Sequence, residues 1–235
     1  MPRAGELQYY ERIGEQGRQH SLGKPFSDDE CGLYLMRAGA LFSLLPKPPA
    51  RVLDCGCGTG WLAYFLTQRG YDVVATDIAP DAISLAQSHP LFRQGSAPRF
   101  LVADSESLMF SSEFDAVVFF DSLHHALDER KALTGAFRAL RPGGVCVVLE
   151  PGRGHARKSR AFDAAYDVTD RDMPPSRVCR AARAVGFTRC RVAAAPQHLG
   201  KALYTGRFGP LRHVLVQAIL FWKRWYCGIA ILEKD

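Results

Sequence analysis

The sequence predicts a three-layer α/β protein built on a doubly wound, mostly parallel sheet. Three observations predict it. Short apolar runs alternate with helix-like stretches between residues 51 and 150. Several of those runs end in an aspartate. The first of them leads straight into a glycine turn, DCGCGTG. Strands joined through helices make right-handed crossovers and parallel sheets covered on both faces. Strands buried on both faces need not alternate polar with apolar residues, and these do not.

RVLDCG is the first strand, apolar at Val52 and Leu53 and closing at Asp54. WLAYFLTQRG is a helix stopped by Gly70. YDVVATD is the second strand, ending in Asp77, and IAPDAISLAQSHP is a helix opened by Pro80 and Asp81 and ended near Pro90. PRFLVAD is the third strand, ending in Asp104. FDAVVFFDSLHH holds the fourth, most apolar from Ala116 to Phe120. ERKALTGAFRALRPGG is a helix with a turn at Pro142, Gly143 and Gly144, and VCVVLEPG is the fifth strand.

Two additions flank this unit. Residues 1–45 form an N-terminal helical cap, set off by the proline-rich LLPKPPA from a sheet domain over 46–235. Residues 151–226 carry a C-terminal helical insertion on the acceptor side. Within it, GRGHARKSRAFDAAYDVTDRDMPP is polar, basic and at most partly helical. PPSRVCRAARAVGF is a helix between Pro175 and Gly186, and TRCRVAAA is a strand. GPLRHVLVQAILFWKRWYCG is a long amphipathic helix, with Phe208, Leu211, Leu215, Ala218, Trp222 and Trp225 at three- and four-residue steps. Its aromatic stripe is expected to pack on the domain or a second subunit; contact with a membrane surface is the alternative. IAILEKD is the last strand.

The 235 residues, 47% hydrophobic and 23% charged, suit one large globular domain. Seven cysteines include no C-x-x-C pair, which points away from a zinc or redox site and toward reduced thiols in a cytoplasmic protein. The polar N-terminus lacks the apolar stretch of a signal peptide. The net charge of +6 is uneven: residues 1–150 carry 14 Lys+Arg against 18 Asp+Glu (−4), and residues 151–235 carry 16 against 6 (+10). A basic C-terminal part suits an anionic acceptor or, equally, a solvated surface. No RNA-binding module stands out, so no nucleic acid is expected.

The glycine turn narrows the ligand. Open parallel sheets bind ligands beyond the carboxyl ends of their strands, and glycines there let backbone approach closely. The spacing D-x-G-x-G-x-G over Asp54, Gly56, Gly58 and Gly60 is neither G-x-x-x-x-G-K-[ST] nor G-x-G-x-x-G. Asp54 disfavours a pyrophosphate and favours a ligand with a positive charge.

DCGCGTG resembles the cofactor loop of class I S-adenosylmethionine-dependent methyltransferases, a Rossmann-like fold with an antiparallel last strand. The likeness continues in order through Asp77, the Asp104-Ser105 pair, FFDSLHH and LRPGG, over residues 50 to 150. LRPGG and LHH are most similar to the small-molecule branch. The resemblance implies S-adenosylmethionine as cofactor. Asp77, 21 residues after Gly56, stands where a carboxylate meets a ribose diol. Ile78 is implied to pack on adenine, Asp104 and Ser105 to meet its amino group, and Gly56, Cys57, Gly58 and Gly60 to pass the methionine moiety. Asp54 is implied to lie near the ammonium group. Asp121 and Ser122 belong to the same wall, and His20 to a lid.

Methyl transfer needs a base only when the acceptor arrives protonated. The candidates are His124 first, then His125, with Glu150 and His155 behind them. No metal ligand set is expected. Arg153, Arg157, Lys158 and Arg160 are candidates to meet an anionic acceptor such as a sugar, lipid-linked or natural-product intermediate. A homodimer is left open. The competing classes are a cofactor-binding, non-catalytic partner of another methyltransferase and, on a related sheet, a nicotinamide-dependent oxidoreductase.

Overall fold

The computed structural model describes residues 4–89, 92, 97–195, 218, 221–225 and 227–235. Its sheet has seven strands in the order β3-β2-β1-β4-β5-β7-β6. They are β1 (Arg51–Cys55), β2 (Asp72–Asp77), β3 (Arg99–Val102), β4 (Phe114–Phe120), β5 (Leu140–Leu149), β6 (Arg189–Ala193) and β7 (Ile229–Glu233). The first five run parallel, and β7 inserts antiparallel between β5 and β6. The order reverses at β1, whose next neighbours are β2 on one side and β4 on the other. Connections leave in opposite directions there and open a crevice at the carboxyl ends.

The continuous apolar strands divide between two cores residue by residue. Leu53, Val117, Phe119, Val148 and Leu232 face one layer with α7 (Glu129–Ala139) and α9 (Pro175–Val185). Val52, Val118, Phe120, Leu149 and Ile231 face the other, with α4 (Cys31–Leu44), α5 (Trp61–Gln68) and α6 (Pro80–Ser88). Side chains alternate across a strand, so a sheet sandwiched between helices consumes apolar residues at every position. α7 starts where Asp128 accepts from the Arg130 and Lys131 amides. α9 stops at Gly186, at φ +120°.

Three expectations change. LRPGG is not a turn before the fifth strand but part of it. Gly143 N–H donates to the Lys234 carbonyl and Lys234 N–H to that of Gly144, which zips the segment onto the end of β7. The polar stretch after Pro151 is partly helical, as read from the sequence, with the helix α8 over His155–Tyr166. The cysteines are not all thiols: Cys179 on α9 is bonded to Cys190 on β6. Finally, Phe221, Trp222 and Trp225 are 56%, 72% and 38% exposed, so this part of the aromatic stripe is not core. Of the amphipathic helix expected over 208–226, residues 218 and 221–225 are helical; the remainder lies outside the described residues. Among the described residues no helix is long and apolar enough to cross a membrane.

The N-terminal cap is helical as expected: α1 (Ala4–Leu7), α2 (Tyr9–Arg12), α3 (Gly14–Leu22) and α4. Its first two helices form a strap over the sheet's carboxyl edge. At one flank Glu6 Oε1 accepts from the Thr169 amide at 2.7 Å and Arg12 donates to the Tyr166 carbonyl at 3.2 Å. At the other, Glu11 N–H donates to Asp81 at 3.1 Å.

Candidate active site

Beneath that strap lies a cavity of about 600 Å³, at the carboxyl ends of β1, β2, β4 and β5. The sequence-derived candidates Gly56, Gly58, Asp77, Ile78, Asp104, Ser105, Asp121, Ser122, His124, His125, Glu150 and His155 all line it. Residues 54, 57 and 60 belong to the same strand and turn but not to the lining. His20 stands apart: it is half-exposed, with Nε2 3.6 Å from Asp28.

The glycine turn is as tight as its composition implies. Gly56 sits at φ +74°, and a Cβ there would come 2.3 Å from the Ser122 Cβ. At Gly58, φ +54°, it would meet the Tyr10 hydroxyl at 2.8 Å. The chain therefore runs closer to β4's end and to the strap than any side chain permits. Asp77 holds the turn open: Oδ2 accepts from Gly58 N–H at 2.8 Å and Oδ1 from Ala79 N–H at 3.0 Å. Burial raises its pKa against those bonds. Asp104 likewise caps a short turn, accepting from Glu106 N–H at 2.8 Å. Both aspartates are caps and cavity walls at once. Asp54 is different. It is 1% exposed, its Oδ2 has no hydrogen-bond partner, and burial with the nearby Asp77 lifts its pKa to about 7.

The histidines form a linked system. Glu150 is buried and saturated: Oε1 accepts from the Ser122 and Leu123 amides at 3.0 and 2.7 Å, and Oε2 from His124 Nδ1 at 2.6 Å. The Nε2 of His124 faces Asp170 Oδ1 at 3.4 Å. Burial opposes charge on His124, but the two carboxylates outweigh it and hold the pKa at about 10. With both nitrogens turned to carboxylates, His124 has no lone pair to offer a substrate, which counts against it as the base. Glu150, occupied by four donors, leaves the list as well.

His125 stays neutral. Its Nδ1 lies 3.0 Å from the Thr169 carbonyl. A carbonyl only accepts, so Nδ1 carries the proton and Nε2 keeps a lone pair. Burial and the neighbouring His124 charge drive its pKa down to about 4. Glu6 Oε1 lies 3.7 Å from the same ring, with a pKa that burial lifts to about 7. His155 Nε2 is 3.4 Å from Asp170 Oδ2. Among the described residues, His124, His125 and Asp170 are also the group whose donor atoms converge, within 4.8 Å, closely enough for a metal ion. His124 spends both nitrogens on carboxylates instead.

Several wall residues escaped the sequence reading: Glu6, Tyr9, Tyr10, Arg37 and Asp170. Arg37 reaches from α4 to grip Asp121 through two bonds of 2.5 and 2.6 Å, and stacks 4.4 Å from the Phe120 ring centroid. Asp121, at φ +51°, adopts the left-handed conformation that a short polar side chain tolerates. The run DVTDRD, acidic within a basic segment, was a signal for Asp170. For the strap residues no local signal exists.

Residues 53–148 match the methyltransferase domain family. Over that span the chain is similar to S-adenosylmethionine-dependent methyltransferases. It is 41% identical over 138 residues to the demethylmenaquinone methyltransferase of Thermus thermophilus, covering 56% of this chain and 60% of that protein. A phosphoethanolamine N-methyltransferase of Haemonchus contortus, solved with S-adenosylmethionine, superposes on 97% of this chain and 58% of its own, with a TM-score of 0.69 at 18% identity. The cyclase SpnF covers 100% of this chain and 97% of its own, with a TM-score of 0.66 at 20% identity. At such identities the likeness is one of fold. The chain spans three fifths or less of the length of these curated relatives, 24% in the case of a wheat phosphoethanolamine N-methyltransferase.

Proposed function

We propose that this chain transfers the methyl group of S-adenosylmethionine to a small-molecule acceptor bound between the strap and α8. One observation carries the reading: Asp54, Asp77 and Asp104 follow one another at the ends of β1, β2 and β3 around a turn that only glycine can make, and Asp54 keeps a buried carboxylate oxygen without a partner. An orphaned buried acceptor costs about 1–3 kcal/mol until something donates to it. The cofactor's ammonium group is such a donor. Asp77 holds the ribose diol, Ile78 packs on adenine, and Asp104 with Ser105 meets its amino group. Gly56, Cys57, Gly58 and Gly60 bend the chain around the methionine part, while Asp121 and Ser122 close the far wall.

When bound, the cofactor supplies a methyl on a sulfonium with a neutral leaving group. The protein's own work is to orient, to exclude water and to take a proton. Tyr9 and Tyr10 on the strap line the cavity, and the strap serves as its lid. Positioning two reactants in line is worth effective molarities of about 10⁵–10⁸ M. Glu6, whose pKa lies near neutrality, takes the acceptor's proton where one must leave, and His125 stays neutral beside it.

The anionic acceptor finds little support. Arg157, Lys158 and Arg160 are exposed on α8, whose opposite face carries His155 and Phe162 into the cavity. Arg153 lines a separate depression with Arg130, Arg177 and Arg180. The test is calorimetric titration with S-adenosylmethionine and S-adenosylhomocysteine, followed by label transfer to an acceptor panel. Micromolar binding to wild type and its loss in Asp54→Asn support the assignment; no binding to either compound sinks it.

A further inference from the structure

The acceptor end of the cavity has a definite chemistry. Tyr9 and Phe162 line it, with ring centroids 6.3 Å apart, and Tyr166 backs both at 6.4 and 4.6 Å. Glu6 and Asp170 stand on the same wall, their side chains only 14% and 9% exposed, meeting His125 Nδ1 at 3.7 and 3.3 Å. The described lining contains three cations, His124 held between Glu150 and Asp170 among them, and all are engaged. Arg37 is doubly bonded to Asp121, and Lys24 Nζ sits 5.1 Å over the Tyr34 ring. The basic face of α8 points to solvent. Aromatic rings beside carboxylates, with no free guanidinium or ammonium among them, attract a cation through ring quadrupoles and direct ion pairing, and they repel an anion.

We propose that the acceptor is an amine, entering beside Tyr9, Phe162, Glu6 and Asp170. The inference rests on the methyl-transfer reading above and names its substrate class. The nitrogen lone pair forms the new C–N bond. The S–C bond breaks with its electron pair remaining on sulfur, which becomes a neutral thioether. The positive charge passes to nitrogen, and the methylated product leaves as an ammonium ion. An arriving ammonium first gives up its extra proton to Glu6 in its carboxylate form.

Three matched probes decide it: 2-phenylethylamine, 2-phenylethanol and phenylacetate, titrated into the full chain with and without saturating S-adenosylhomocysteine. The amine is expected to bind at least ten-fold tighter than the alcohol, with phenylacetate weakest. Glu6→Gln keeps the acceptor for the Thr169 amide and removes the charge; it should erase most of the amine's advantage over the alcohol. Phe162→Leu should weaken the amine several-fold while leaving S-adenosylhomocysteine binding unchanged. Equal binding of amine and alcohol, preference for phenylacetate, no amine binding at millimolar concentration, or an amine preference untouched by Glu6→Gln would each overturn the proposal. If S-adenosylhomocysteine itself fails to bind, the methyl-transfer reading falls, and the ranking on the cofactor-free protein still decides the amine preference.

Discussion

His124 illustrates how one side chain's role is set by its partners. In sequence it is the first histidine after an apolar strand, the natural place for a base. In the fold it is a buried cation between Glu150 and Asp170. Removing one member of a buried pair strands the other, at a cost of about 3–5 kcal/mol. Glu150→Gln is therefore expected to destabilise the chain by that order in chemical denaturation. The pH dependence follows from the same pair. A folded pKa of about 10, above the ordinary histidine value of 6.5, gives stability that is complete below pH 6.5 and lost as pH rises through 10. The melting temperature should fall between pH 7 and 10 in wild type, and by less in Glu150→Gln. Asp77 sets a second expectation. Asp77→Ala leaves the ribose diol unpaired and should weaken S-adenosylmethionine by about 1–3 kcal/mol in calorimetry; an unchanged dissociation constant would remove the ribose role.

At the scale of elements, the strap is the sensitive part. A Cβ on Gly5 would fall 2.1 Å from the Tyr166 carbonyl oxygen, a backbone atom that cannot step aside. Gly5→Ala should lift the strap from α8. Amides of residues 4–12 should then exchange faster in hydrogen-exchange mass spectrometry, and acceptor binding should weaken while the melting temperature barely moves. The strap and α8 are also where sequence reading ran short. α8 has few apolar positions because its inward face, His155 and Phe162, serves a polar cavity rather than a core. Hydrophobic periodicity detects cores, so it leaves the bounds of such a helix open. The LRPGG segment failed for another reason. Its glycines signal a turn locally, and only the later arrival of β7 supplies the partners that keep it extended.

For the whole molecule, charge asymmetry proved a poor guide to the ligand. The basic half builds α8 and α9 and displays its arginines outward, while the cavity it helps to close is walled by carboxylates from both halves. Asp54 adds an expectation here. Its folded pKa of about 7 lies above the ordinary aspartate value, so its ionised form is disfavoured by the fold. The stability it gives is present below about pH 4 and lost as pH rises through 7. Ionised Asp54 is the form that meets an ammonium group, so S-adenosylmethionine affinity should rise from pH 6 to 8 as stability declines. Asp54→Asn should flatten both profiles, measured by calorimetry and thermal melts.

What the sequence determined by itself was the strand-and-helix order of residues 51–150, the glycine turn and the three aspartates beside it. Those features are local: apolar runs, stops and short spacings carry their own physical cause. What only the tertiary structure decided was the state of the histidines, the disulfide of Cys179 with Cys190, and the cavity's roof. Each depends on residues far apart in the chain, as when Arg37 meets Asp121 or Glu6 meets Thr169. A proton's position follows from which charges stand within a few ångströms, and chain spacing does not encode that distance.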